Sequence, residues 1–392
     1  MREGDPAPGL LRAREPHAHA KVSFAELFFD LVFVYAVTQL SHALLADMSL
    51  AGALRTGMLF LGVWWVWIYT AWVTNWVDPE RAPARLMLFA MMAAGLVLSM
   101  SIPDAFGERG LSFALAYVAM QMGRNVFTIW AIGPGDRALR LNFVRILAWL
   151  AFSGLFWIAG ALQEGQARML LWAIALGIDY VSPAVYFWTP FLGRSTTGDW
   201  TVEGAHLAER CALFIIIALG ESVLVSGATF EKQSWDALHG TAFVTCFLGT
   251  LAMWWIYFNL GAERGSDHIA HDEDPGRIAR TGYTYLHLPI IAGIVLCAVS
   301  DELLLAHPHG HAAWSAVAAI LGGPALYLVG CGFFKRLSTA RFPLSHLIGL
   351  GLLAAMVLPV PFLEPLVLGA AATAILILVA AWEHVSLRGG RR

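Results

Sequence analysis

Twelve apolar runs, each close to the length of a membrane-crossing helix, leave this chain few ways to fold. About 20 mainly apolar residues are needed to cross about 30 Å of hydrocarbon as a helix. Runs of that kind fall at roughly 24–46, 57–77, 84–102, 110–132, 142–162, 168–189, 207–229, 241–261, 282–305, 312–334, 343–363 and 365–386. With 58% hydrophobic and only 14% charged residues, the chain lies far from soluble domains, which carry about 25% charge. The expected fold is all-α, a polytopic transmembrane helix bundle of about twelve helices with the lipid bilayer as its partner. The 16 Trp and 23 Phe are expected at the lipid–water boundary and on lipid-facing helix surfaces. The connection at Pro361, Glu364 and Pro365 is so short that the last two runs should pair antiparallel.

A net charge of −3 offers no basic field for phosphates, so nucleic acid is excluded as a partner. Cys211, Cys246, Cys297 and Cys331 sit in apolar runs without metal-ligand spacing and read as small buried hydrophobes. The first residues are polar and lack an apolar core of their own, which reads as a tail rather than a cleaved signal peptide. Lys and Arg concentrate on the side that holds the N-terminus, in a set that includes Arg81, Arg85, Arg137, Arg140, Lys335 and Arg336, against Arg55, Arg109, Arg168 and Lys232 opposite. By the positive-inside bias, both termini are expected on the cytoplasmic side of the membrane, with the chain crossing it many times.

The chain also echoes itself. Trp65-Val-Trp-Ile-Tyr69 returns as Met253-Trp-Trp-Ile-Tyr257, and Ala94-Gly-Leu-Val-Leu98 as Ala292-Gly-Ile-Val-Leu296, each echo followed by an acid-bearing turn at Asp104 or Asp301-Glu302. The expectation is two parallel six-helix repeats, 23–192 and 206–387, joined by a cytoplasmic linker at 193–205 and flanked by a polar tail, 1–22, and a basic tail, 388–392.

Ionisable residues inside the hydrocarbon cost at least about 2.5–3.5 kcal/mol each, which makes them functional candidates. Glu26 and Asp30, four apart, share a helix face with Phe33, Val37 and Ser41, which should look into the bundle. Two carboxylates so close repel, and so recruit a cation or a proton. His206, Arg210 and Glu221 share a face of the seventh run beside Glu209, with Glu221 about 16 Å along the axis from Arg210. Arg124 demands a partner, for which Asp30 or Asp179 are expected. Asp179 precedes Pro183 by about a turn, and Tyr283 and His287 lie one turn apart, with His287 a candidate proton relay. The loop His307-Pro-His-Gly-His311 is too loosely spaced to specify a metal. No enzymatic motif stands in a credible setting, so neither an enzyme nor a cofactor is expected.

Four segments together, Glu26-Leu-Phe-Phe-Asp-Leu-Val-Phe-Val-Tyr35, His206-Leu-Ala-Glu-Arg210, Ala218-Leu-Gly-Glu-Ser222 and Tyr283-Thr-Tyr-Leu-His-Leu-Pro289, resemble the bacterial low temperature requirement protein A family from about Ser23 onward. The resemblance implies a multi-helix inner-membrane protein connected with growth in the cold. Phe28-Phe-Asp30 is also similar to the Phe-Ser-Asp motif of six-helix potassium channels, although Phe29 replaces the serine, Phe24 stands where those channels have arginine, and the second half reads Leu213-Phe214 at comparable depth. Three functions follow as expectations: a carrier of an unknown small solute or cation, coupled to an ion or a proton through the intramembrane acids; a cation channel; or a membrane protein that transports nothing and supports growth in the cold.

Overall fold

The computed structural model describes residues 9–12, 21–196, 202–259, 279–339 and 341–389. Most of the polar tail, the middle of the expected linker, His268 with His271, and the last basic residues lie outside the described residues. The described chain is all-helical, with only two isolated bridges, Leu11 to Val77 and Thr189 to Gly193. Each of the twelve runs becomes a helix. These are α1 (Phe24–Ala46), α2 (Leu50–Trp76), α3 (Ala82–Ser101), α4 (Gly110–Ile132), α5 (Arg137–Ala161), α6 (Gly165–Val181), α7 (Gly204–Glu231), α8 (Ala237–Phe258), α9 (His287–Ala306), α10 (Trp314–Thr339), α11 (Leu344–Ala355) and α12 (Pro365–Gly389).

Nine of these described helices are long and apolar enough to cross a membrane. The other three depart for identifiable reasons. The centre of α4 carries Gln121, Arg124 and Asn125, all buried. α6 stops at Val181 because Pro183 cannot continue a helix, and the chain then turns through positive φ at Tyr186 and Phe187. α11 has only 12 residues, about 18 Å of rise, so the run at 343–363 does not cross as one helix. Pro359 and Pro361 break it into a short 3-10 turn, Val360–Phe362, before Pro365 opens α12. The acid expected in a turn at Asp301 lies within α9.

The chain divides into two compact units. The first holds most of α1 and α2, with α3 to α6 and the opening residues of α7; the second holds the rest of α7 and α8 to α12. On α1, Glu26, Phe29, Asp30, Phe33 and Val37 are buried, whereas Phe24, Phe28 and Leu31 are more than half exposed, as a lipid-facing surface requires.

The first unit corrects the expectation for tryptophan. Trp64, Trp65, Trp67, Trp157 and Trp172 are among the most deeply buried side chains, and Trp157 and Trp172 meet at 5.2 Å between ring centroids. Trp172 Nε1 donates to the Trp157 carbonyl at 2.9 Å, so this indole carries no unmet polar group inward. Arg168, read as a loop charge, is buried and donates to the carbonyls of Ala105, Ala161, Gln163 and Gly107. It thereby satisfies backbone oxygens at helix ends that lipid cannot solvate.

The second unit is drawn together by glycine. A Cβ at Gly293 would sit 2.5 Å from the Tyr327 nitrogen, one at Gly323 would sit 2.8 Å from Cys297 Sγ, and one at Gly330 would sit 2.7 Å from Ile290 Cγ1. α9 and α10 therefore touch backbone to backbone, the packing that membrane helices achieve with small residues. α8 opens on Asp236, whose side chain accepts from the His239 amide at 2.9 Å. That bond, with the His239 ring and Ser234, pulls its carboxyl down to about 2. The cap is therefore complete above the ordinary aspartate range and is lost only as pH falls through about 2. Gly293→Val should lower the detergent-solubilised unfolding temperature, as overpacking of about 1–3 kcal/mol requires. Gly351→Val, whose added Cβ meets nothing within 4 Å, should leave it near the parent value.

Candidate functional site

Two clusters of buried polar groups stand out in the first unit. At the start of α1, Ser23 and Glu26 form a capping box. The Ser23 amide and hydroxyl donate to Glu26 Oε2 at 2.8 and 2.9 Å, and the Glu26 amide donates back to Ser23 Oγ at 3.3 Å. Glu26 is fully buried, and its other oxygen lies 2.9 Å from His206 Nε2 on the first turn of α7.

Asn75 holds that imidazole in place. Its Oδ1 accepts from the Glu203 amide at 2.9 Å, so its Nδ2 is the group facing His206 Nδ1 at 3.4 Å. A guanidinium, from Arg12, reaches the same acid.

Arg12 belongs to a segment that the sequence assigned to a loose tail. Residues 10–12 instead pair with the end of α2: the Arg12 amide donates to the Trp76 carbonyl at 2.8 Å and the Asp78 amide to the Leu10 carbonyl at 2.9 Å. This docking carries the guanidinium inward. Nε donates to the Thr74 carbonyl at 2.7 Å, and Nη2 lies 3.1 Å from Glu26 Oε2 and 3.2 Å from His206 Nε2. Only 11% of the Arg12 side chain remains exposed. A buried acid, an imidazole and a guanidinium from three distant stretches of chain thus form one cluster.

One turn along α1, Asp30 Oδ1 accepts from Trp67 Nε1 at 2.8 Å. Asp179 Oδ2 accepts from the Tyr117 hydroxyl at 2.7 Å and from Trp157 Nε1 at 3.2 Å. The direct ion pair expected of Arg124 does not form among the described residues. Its Nη1 donates to the Val66 carbonyl and to Thr70 Oγ1, both at 3.0 Å, its Nη2 donates to Gln121 Oε1, and its carbon stands 5.5 Å from the Tyr69 ring centroid. Arg124 still reaches Asp179 indirectly. Gln121 Nε2 donates to the Tyr117 hydroxyl at 3.3 Å, completing a chain from Arg124 through Gln121 and Tyr117 to the acid. Positions 117, 121 and 124 lie at i, i+4 and i+7 of α4, a spacing that could have disclosed this face.

In the second unit, Arg210 and Glu221 are buried on α7 and Glu209 is exposed. His287 Nδ1 lies 2.8 Å from the Gly282 carbonyl and therefore bears the hydrogen, leaving Nε2 to accept from the Tyr257 hydroxyl at 2.8 Å. Gly282 belongs to a π-helical turn, Arg280–Tyr285, in front of Pro289. Tyr283, nearly inaccessible, stacks its ring 5.4 Å from that imidazole. Lys335, read as a loop charge, is buried, with Nζ 2.6 Å from Glu383 Oε2 and donating to the Ile256 carbonyl at 2.9 Å. His346 Nδ1 stands 3.3 Å from the other Glu383 oxygen. Of the loop histidines, His309 meets Glu364 at 3.0 Å in an exposed position.

Residues 21–381 match the family model described as bacterial low temperature requirement A protein. An uncharacterized protein of Rhizobium meliloti (strain 1021) is 44% identical over 382 residues, which is 97% of this chain and 93% of that relative. No solved structure matches.

Tyr117→Phe should destabilise the protein by about 1–3 kcal/mol, because it removes a donor from a buried carboxylate. Adding Asp179→Leu should recover part of that loss, since the carboxylate that lost its donor is then gone. Denaturant unfolding of the parent and the two variants in detergent measures both effects.

Proposed function

The chain belongs to the bacterial low temperature requirement A family, and from that premise we propose that it is an ion- or proton-coupled carrier of the bacterial inner membrane, with both termini on the cytoplasmic side. The observation that carries this reading is the Glu26–His206 pair. It joins an acid and an imidazole 180 positions apart in the chain, fully buried at 2.9 Å and closed over by the Arg12 guanidinium. Such a pair can hold one proton in common, and its occupancy can change with the position of Arg12. When Arg12 is docked, the guanidinium balances Glu26. When the segment 10–12 detaches, Glu26 loses one cation, and a proton or a solute cation arriving at the carboxylate would make up for it. Binding at this end of the first unit is thereby linked to a movement of the chain, which is the element that alternating access requires. The chain from Arg124 to Asp179 supplies a second set of exchangeable hydrogens in the same unit.

The carrier reading predicts saturable exchange. Proteoliposomes holding a trapped pH-sensitive dye and given an imposed sodium or potassium gradient should move protons at a rate that saturates with cation. Glu26→Gln, Asp30→Asn and Glu221→Gln should each reduce that rate at least tenfold while leaving a monodisperse protein. Stepwise single-channel currents in planar bilayers would replace the carrier with a channel. Undiminished flux in all three variants would remove the mechanism, and wild-type growth in the cold by all three would assign their acids to packing.

A further inference from the structure

The second unit contains a cavity of about 30 Å³ lined by residues of α8, α9, α10 and α12. That volume exceeds the roughly 10–15 Å³ needed to admit one water molecule. Its wall includes Thr245, Thr250, Ser300, Asp301, Thr373 and Pro324, in a bundle region otherwise closed by leucine, isoleucine and glycine.

What these groups offer is almost wholly acceptor. Thr245 Oγ1 donates its hydrogen to the Thr241 carbonyl at 2.8 Å, Thr250 Oγ1 to the Cys246 carbonyl at 3.3 Å, and Thr373 Oγ1 to the Thr245 carbonyl at 3.3 Å. A hydroxyl has one hydrogen, so three oxygens remain with lone pairs and nothing further to donate. Pro324 stands inside α10 and has no amide hydrogen, so the Ile320 carbonyl, four residues earlier and also from a cavity-lining residue, loses its helical donor. Asp301 contributes a carboxylate that is more than nine-tenths buried. No Lys, Arg or His lines the cavity, and no ion pair to Asp301 forms among the described residues.

A buried carboxylate beside three spent hydroxyls and a freed carbonyl repels anions, and beyond the Ser300 hydroxyl and two weakly donating thiols it gives a neutral solute little to accept from. We propose that this cavity is a binding site for one small dehydrated monovalent cation of sodium size, held by Asp301 with the oxygens of Thr245, Thr250, Thr373 and Ile320. One carboxylate is too little charge for a divalent ion, which takes a richer anionic oxygen set. The soft thiols of Cys246 and Cys297, also on the wall, do not alter a preference set by hard oxygen. The site's role as a coupling site rests on the carrier reading; its occupancy does not.

Purified full-length protein in detergent tests occupancy at equilibrium. Replacing choline chloride by sodium chloride at constant ionic strength and pH should raise the unfolding temperature by a few degrees, since a ligand that binds only the folded state stabilises it. Asp301→Asn should abolish the sodium dependence. Thr373→Val, which keeps the carboxylate and nearly the same volume, should shift the half-effective sodium concentration at least tenfold upward and stands in should Asp301→Asn fail to fold. Equal sodium dependence in parent and variants overturns the site, and so does a parent protein that responds to pH and not to sodium. Sodium binding without proton movement in proteoliposomes would retain the cavity and discard the carrier; proton movement without sodium binding would do the reverse.

Discussion

Inside hydrocarbon no water relieves a polar group, so every buried carboxylate must find its donors within the bundle. Much of the first unit is arranged around that requirement. Asp30 is met by an indole, Asp179 by an indole and a phenol, and Glu26 by a serine, an imidazole and a guanidinium. A single cation per acid would have sufficed for charge alone. Neutral aromatic donors satisfy the oxygens and fill apolar space with the same atoms, which explains why so many tryptophans lie in the interior instead of at the lipid boundary. The same economy governs the cations. Arg124 is held by a carbonyl, a hydroxyl, an amide oxygen and a ring face, and Arg168 by four carbonyls.

Most helices were legible because twenty-residue apolar runs have one structural outcome in lipid. The exceptions were written in proline: Pro183 shortened α6, and Pro359 with Pro361 broke the eleventh run. The buried face of α1 was equally legible, since Glu26, Asp30, Phe33 and Val37 recur at helical spacing and all are buried.

The partners were much less legible, because a partner is a tertiary fact. Helix order suggested an acid for Arg124, but neutral oxygens supplied by α2 and α4 were nearer and sufficient. Arg12 lies in a stretch with no periodicity, so nothing local announced that two backbone hydrogen bonds to the end of α2 would carry it to Glu26. Lys335 looked like a loop charge because it closes an apolar run, and only Glu383, 48 positions on, gives it a buried destination. Asp301 attracted attention as part of an internal echo, whereas its significance lies in the threonines of α8 and α12 that surround it.

The buried acids therefore differ in what they can still accept. Asp179 has one oxygen, Oδ2, already engaged by two donors at 2.7 and 3.2 Å, and a cation taking that oxygen would have to displace them. Displacing bonds to an ionised group costs about 1.5–3 kcal/mol each. Glu26 already has a guanidinium 3.1 Å from one oxygen, so a cation at that oxygen would compete with Arg12. Asp301 lines a cavity in which Thr245, Thr250 and Thr373 have given their hydrogens to helix carbonyls, so three lone-pair oxygens already stand on its wall. On the two proposals above, Asp301 is the acid where an ion would meet the least competition and Glu26 the one whose occupancy would follow the position of Arg12, while Asp179 is the acid most fully met by donors of its own unit.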